Sequence, residues 1–575
     1  MKKQIILLLI LSLIITNVGC SSKKTETISD RSAVASSDSA DEAVTAEKEK
    51  EKTAIIVDDL KQAYSYTELL ELTEQTAGCL YRQGIHPGMR VGILITGTVE
   101  EASLLFALNK IGAVARYLDF LKDINYLVHS IKASKIEALI IDEVFLPIEP
   151  VINPGEKPVI VITSRRMIRT GNCVSLNCLF ESGSTAVDPC PYDKDRVTTI
   201  INSSGSTGTP KPISLTDAAI NAAAVKVLKT DLINENSVIL KVIPSQIGLG
   251  LITSLYTALI NGNTVILNRC ENSKCGLLHM LSLVGDYPRI CRQYDLPEKS
   301  QLAILASPLF IRAIFYSEEV QDLSYVGSIL AAGSKMTREE LIELTAVGKQ
   351  KNCPVLICNG YGQNELAGAA ALNDNKGNEF GSAGRPTYNT VIRVVDKDTL
   401  EEKSCGETGM IIEQSDSMFS EYDGLADETR EAFITLADGS VWFNTHDLGH
   451  ISKTGYVYIK GRTTRVVIRF DYKLPLDDIE EKVKSNTFVH DAALIITDCS
   501  GSFEKITAFV VLTDAYKGQV TQEQILQSIN EGNHLNFNEK IDELIVIDRI
   551  PVISSGKVDY ALLNDLYHEM KPADV

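Results

Sequence analysis

Nine consecutive residues, Ser203-Ser204-Gly205-Ser206-Thr207-Gly208-Thr209-Pro210-Lys211, gather hydroxyl groups, two glycines and a lysine into one stretch. Successive backbone N–H groups and hydroxyls in such a loop can cradle phosphate oxygens, and the lysine adds a point charge. The glycines let the backbone bend tightly and let a ligand approach it closely. A flexible tether has no need of the closing Pro210-Lys211, so the stretch reads as a binding element and not as a linker. The spacing G-x-x-x-x-G-K-[ST] does not fit it, which excludes a Walker A loop. The apolar, β-branched run before it, Val197-Thr198-Thr199-Ile200-Ile201, reads as the strand that presents the loop.

The loop resembles the phosphate-binding signature of the adenylate-forming (AMP-binding) enzymes: acyl-CoA synthetases, adenylation domains of peptide synthetases, and luciferases. That signature reads roughly T-S-G-S-T-G-x-P-K-G; Ser203 stands for its threonine and Pro212 for its last glycine. Three later stretches extend the resemblance. Asn359-Gly360-Tyr361-Gly362-Gln363-Asn364-Glu365, after the strand Val355 to Cys358, resembles Y-G-x-T-E, with Asn364 at the threonine that contacts phosphate. Phe443-Asn444-Thr445-His446-Asp447-Leu448-Gly449 resembles Y-x-T-G-D-L, with His446 in place of the glycine, in a turn that must then accept a side chain. Near the end, Ile550-Pro551-Val552-Ile553-Ser554-Ser555-Gly556-Lys557 resembles the start of P-x-T-x-x-G-K-x-x-R, with Tyr560 at the arginine. Gly461-Arg462-Thr463-Thr464 is similar to the hinge G-R-x-D, with Thr464 for the aspartate. Ser328 to Lys335 is similar to the strand and turn beside the acyl pocket and adenine, and Pro244 to Gly250 to the turn that gates the pocket, with Gln246 changed.

The resemblance implies a site. Lys557 and Glu365 are its catalytic residues. The nucleotide lies on Ser203, Ser204, Gly205, Ser206, Thr207, Gly208 and Lys211, and further on Gly333, Asn359, Tyr361, Gly362, Asn364, Asp447 and Arg462. Mg²⁺ sits on Glu365 and Thr207; a hard cation prefers carboxylate and phosphate oxygen. The implied reaction is attack of a small carboxylic acid on the α-phosphate of ATP, release of pyrophosphate, and transfer of the acyl group to the thiol of coenzyme A or of a carrier protein's pantetheine. Two other readings stay open: an adenylation enzyme that loads a carrier protein, and a weakened nucleotide- or ligand-binding lipoprotein. The second draws on the changes at Pro212, Asn364, His446 and Thr464.

The elements that must hold these residues come from periodicity. Ser65 to Tyr81 has apolar residues at helical spacing behind a capping serine. Val91 to Ile95, Gly112 to Tyr117, Ile136 to Ile141 and Val159 to Thr163 read as buried strands, with a helix from Glu100 to Leu108. Later come helices Ala218 to Leu228 and Ile252 to Ile260, and strands Leu240 to Pro244 and Thr264 to Leu267. Strands alternating with helices imply parallel sheets covered by helices. The expected class is α/β: a large domain of parallel-sheet subdomains over 54–462 and a small, mobile α+β domain over 463–575. A chain of 575 residues is too long for one core. Its net charge of -19 argues against nucleic acid as a partner.

The start of the chain has another character. Met1-Lys2-Lys3 and the apolar run Ile5 to Ile15 read as an export signal, too short to span a bilayer. It ends at Val18-Gly19-Cys20-Ser21-Ser22, which resembles a bacterial lipobox, so 1–20 is expected to be a lipoprotein signal with Cys20 lipidated. Residues 21–53 carry no aromatic side chain and read as a solvated tether. This predicts a lipid-anchored, exported protein at the cell membrane. Eleven of the twelve cysteines, scattered singly after Cys20, point instead to a reducing compartment.

Overall fold

The computed structural model describes residues 52–120, 124–154, 157–162, 167–203, 210–269, 273–463, 465–469, 472–498, 504–532, 535–553 and 557–570. Cys20 and residues 21–51 of the expected tether lie outside the described residues, as do Ser204, Gly205, Ser206, Thr207, Gly208 and Thr464; the tether does not run to 53, because Thr53 opens the strand Thr53–Val57.

Runs of β-branched and aliphatic residues become parallel strands buried on both faces, where no polar alternation is needed. Ala138–Asp142 is such a strand, buried at every position. It belongs to a nine-stranded sheet in which Val114–Tyr117 pairs parallel with Val197–Asn202, the strand that leads into the hydroxyl-rich loop. Pro212–Thr216 returns antiparallel from the loop along the same strand. A second nine-stranded sheet carries Val326–Ala331, Ile357–Gln363 and Gly368–Leu372 in neighbouring positions. A third, antiparallel sheet contains Val441–Ile451 and Val457–Arg462. The small domain that follows has its own three-stranded sheet and its own cores, built around residues such as Leu494 and Phe509. The expected α/β class with a small α+β domain is the architecture found.

Several elements match expectation closely, including the helix Tyr66–Arg82, with Ser65 and Glu68 forming a reciprocal cap, and the strand Thr264–Leu267. Others shift. The strand expected over Leu240 to Pro244 is Ser237–Lys241. Proline cannot donate to a ladder, so Pro244 falls in the turn beyond. The helix expected over Ile252 to Ile260 starts earlier, as a π-helical stretch Leu249–Tyr256 continued by Thr257–Ile260. The two later motifs lie within strands: Asn359 to Gln363 is in Ile357–Gln363, and the whole of Phe443 to Gly449 is in Val441–Ile451. His446 therefore does not sit in a turn. It takes φ +56° inside the strand, the left-handed backbone that glycine adopts without strain. Cys79, Cys173, Cys178, Cys190, Cys291, Cys353, Cys358 and Cys405 are free thiols, and Cys79, Cys173, Cys178 and Cys358 are buried.

Among the described residues, no helix is long and apolar enough to cross a membrane.

Candidate active site

A cavity of about 370 Å³ lies where the two large sheets, the antiparallel sheet and the small domain meet. Ser203 and Lys211 flank it at the two ends of the hydroxyl-rich loop. They are tied together: the Ser203 N–H donates to the Lys211 carbonyl at 2.8 Å, and the Ser203 hydroxyl accepts from the Lys211 N–H at 2.9 Å. The residues at the two ends, 203 and 211, are thus held side by side. Lys211 Nζ lies 4.8 Å from the centre of the Tyr422 ring.

The strand Ile357–Gln363 supplies the next wall, through Tyr361 and Gly362, and continues into Asn364 and Glu365. Glu365 is buried and accepts from the Tyr422 hydroxyl at 3.1 Å. Burial pushes its pKa up, against the hydrogen bond from Tyr422 and the charges of Arg462 and Lys557. It has no ion-pair partner among the described residues. A buried carboxylate on a cavity wall with no basic side chain in direct contact suits a divalent cation that arrives with phosphates. Of the residues assigned to Mg²⁺, Glu365 fits on this chemistry and Thr207 lies outside the described residues.

Asn364 replaces a threonine, and its amide spans two backbone groups. Its Nδ2 donates to the Asn202 carbonyl at 2.6 Å, and its Oδ1 accepts from the Gly248 N–H at 3.0 Å. One N–H of the amide is left over. It lines the cavity, and so do Gly333 and Arg462. Asn359 stands behind the wall, its Nδ2 donating to the Met336 carbonyl at 3.1 Å.

Asp447 also stands just behind the wall. Its Oδ2 accepts from the Tyr361 hydroxyl at 2.6 Å and from Gln363 at 2.7 Å. Its Oδ1 pairs with Arg462 at 2.9 Å. The carboxylate next to it drives the Tyr361 phenol further up, beyond the effect of burial. Asp447, expected on the nucleotide, does not itself line the cavity.

Lys557 comes from the far end of the sequence and reaches the same cavity. Burial and the Arg462 charge pull its pKa down, while Asp447 and Glu365 oppose them. Glu365 lines the same cavity as Lys557, and Asp447 stands behind its wall. Sequence reasoning assigned no role to Tyr422, Gln363 or Asn202. Gln363 occupies a free position of its motif, and Tyr422 falls in no motif at all. Only the fold brings them to the cavity.

The cavity lies between a large α/β domain and a small α+β domain, and a lysine from each lines it. The chain belongs to the AMP-binding enzyme family, whose pattern it matches over residues 42–423, more than half its length. It is 23% identical over 521 residues to 4-coumarate–CoA ligase 3 of Arabidopsis thaliana, covering 88% of this chain and 87% of that one. It is 25% identical to the long-chain-fatty-acid–CoA ligase FadD13 of Mycobacterium tuberculosis, covering 88% and 94%. Its fold is similar to that of ATP-bound MatB from Rhodopseudomonas palustris, with TM-score 0.78, 21% identity and coverage of 91% and 97%.

Proposed function

We propose that this protein is an AMP-forming carboxylate–thiol ligase. A carboxylate oxygen of a small acid attacks the α-phosphorus of ATP, the bond to pyrophosphate breaks, and an acyl-adenylate forms. A thiol sulfur then attacks the acyl carbon, AMP leaves, and the thiol proton goes to solvent. The observation that carries this reading is the meeting of Lys211, Glu365 and Lys557 at one cavity, with Asp447 directly behind its wall.

Two anions must come together, so catalysis rests on positioning and charge neutralisation. Lys557 neutralises charge that builds on the α-phosphate and the entering carboxylate. Lys211 and the Ser203 end of the loop hold the leaving phosphates. Glu365 holds Mg²⁺, which when bound offsets the charge of the triphosphate. Tyr361 offers a ring to adenine, and Asp447, behind the wall, holds Tyr361, Gln363 and Arg462 in place for the nucleotide. Coenzyme A is the acceptor this reading favours, because the curated relatives that match along most of their length are CoA ligases. A carrier protein is the alternative acceptor.

The test is acid-dependent ATP–pyrophosphate exchange by the full chain across a panel of carboxylic acids, with Lys557→Ala alongside. Exchange by the parent and its loss in the variant support the reading. Exchange at parental rate in Lys557→Ala would remove Lys557 from the chemistry. A parent that neither exchanges nor binds MgATP would favour a ligand-binding descendant of the family.

A further inference from the structure

The residue just before the loop has an arrangement that packing alone does not explain. Asn202 ends the strand Val197–Asn202, is buried at 5% exposure, and forms part of the cavity wall. Its Oδ1 accepts from Nη2 of Arg116 at 2.6 Å. A guanidinium can only donate, so the orientation of the amide is determined and Nδ2 must point away from Arg116. That Nδ2 is buried and has no partner among the described residues.

Arg116 is itself a rigid mount. It is buried at 2% exposure in the neighbouring strand, where it pairs with Ile200. Besides Asn202 it donates to the Ser134 hydroxyl at 3.1 Å, the Tyr117 carbonyl at 3.0 Å and the Ile200 carbonyl at 3.5 Å. From the other side, Asn364 holds the Asn202 backbone carbonyl at 2.6 Å. Both the main chain and the side chain of Asn202 are thereby fixed, and one strong donor is left unsatisfied beside Ser203 and Lys211. A buried amide N–H without an acceptor is unfavourable unless a ligand supplies one.

We propose that Asn202 is a further nucleotide-binding residue, whose side-chain amide donates to a phosphate oxygen of ATP, and that Arg116 is its positioning residue. This rests on the ATP-dependent reading above. It assigns to a strand-end amide part of the hydrogen bonding that Asn364, engaged with two backbone groups, does not give.

Asn202→Asp separates this from a purely structural strut. Aspartate keeps the shape and pairs better with Arg116, so a strut would be retained or strengthened. A phosphate donor would be lost, and an anion would take its place. The experiment measures MgATP binding by titration calorimetry, the KM for MgATP and for the acid in exchange, and the thermal midpoint, for the full chain and for Asn202→Asp and Asn202→Ala. The expected result for the Asp variant is a parental or higher midpoint, at least roughly tenfold weaker MgATP binding, and an acid KM within about twofold of the parent. Arg116→Lys should weaken MgATP binding in the same direction, because one ammonium nitrogen cannot span the four acceptors that Nε, Nη1 and Nη2 of the guanidinium reach. Parental MgATP binding by the folded Asp variant, or a change in the acid KM alone, overturns the proposal. A parent that binds no MgATP overturns the underlying functional reading, and the two failures are told apart by the parent alone.

Discussion

Two residues of the site have consequences that can be measured. In the proposed reaction Lys557 acts as an ammonium, and its environment disfavours that form: burial first, then Arg462, with Asp447 and Glu365 opposing. Its pKa in the free protein is therefore below the ordinary 10.5. The protonated, active fraction is full at low pH and is lost as pH rises through the lowered value. The kcat/KM for MgATP should show an alkaline limb below 10.5, measured by exchange up to roughly pH 10.5. Lys557→Arg should shift that limb upward while slowing the reaction. A limb at the ordinary lysine value would show that the side chain is solvated in the working state. His446 makes a separate prediction, about stability. At φ +56° it strains a backbone that glycine accepts freely. In chemical denaturation, His446→Gly should be at least as stable as the parent, and His446→Val less stable than His446→Gly by about 1–2 kcal/mol.

Among the elements, the strand Ile357–Gln363 matters most, because it carries both the proposed adenine wall and the entry to Glu365. It pairs with Gly368–Leu372 through a register shift at Tyr361 and Gly362. A Cβ on Gly362 would lie 1.8 Å from the Gly368 carbonyl oxygen, a backbone atom that cannot swing aside. Gly362→Ala should therefore separate the two strands, cost about 3 kcal/mol and abolish detectable MgATP binding; parental calorimetry on this variant would contradict the assignment of the wall. Such strands were readable in the sequence where burial was continuous, as at Ala138–Asp142, because parallel packing leaves no choice of face. Where the same stretch also carries a motif, the reading stopped short. The glycines and polar residues from Asn359 onward look like a turn in isolation, and only the partner strand explains why the chain stays extended there. The site was legible where chemistry is concentrated in a short run, as with Tyr361 and Glu365. It was not legible where contacts join distant residues: nothing in the local sequence ties Tyr422 to Glu365, or Arg116 to Asn202, because those pairings exist only once two sheets are assembled.

At the scale of the whole molecule, the question is what holds a lysine of the small domain over a cavity in the large one. Among the described residues, ion pairs that join the parts are Lys335 with Glu481 at 2.6 Å and Lys460 with Asp478 at 3.7 Å. Both are about a third exposed, and pairs of that kind contribute roughly 0–1 kcal/mol each. They bias the arrangement without locking it. The closer contact is at Gly461, where a Cβ would meet Asp477 Oδ2 at 2.6 Å. Asp477 caps the Arg462 N–H at 3.2 Å and pairs with Arg465 at 2.6 Å. Arg465 in turn bonds Glu480 at 3.0 Å and lies 3.5 Å from the centre of the Tyr560 ring, three residues after Lys557. One chain of contacts thus runs from the domain joint to Tyr560, three residues from Lys557, and it depends on the absence of a side chain at 461. Gly461→Ala would push Asp477 away and shift that chain by an ångström or so, enough to cost about a hundredfold in a reaction governed by positioning. Exchange should fall by that factor, while MgATP affinity, supplied mainly by the large domain, changes by less than about threefold. If affinity and exchange fall together, the joint supports the nucleotide pocket itself. If neither changes, the approach of Asp477 to Gly461 has no part in placing Lys557.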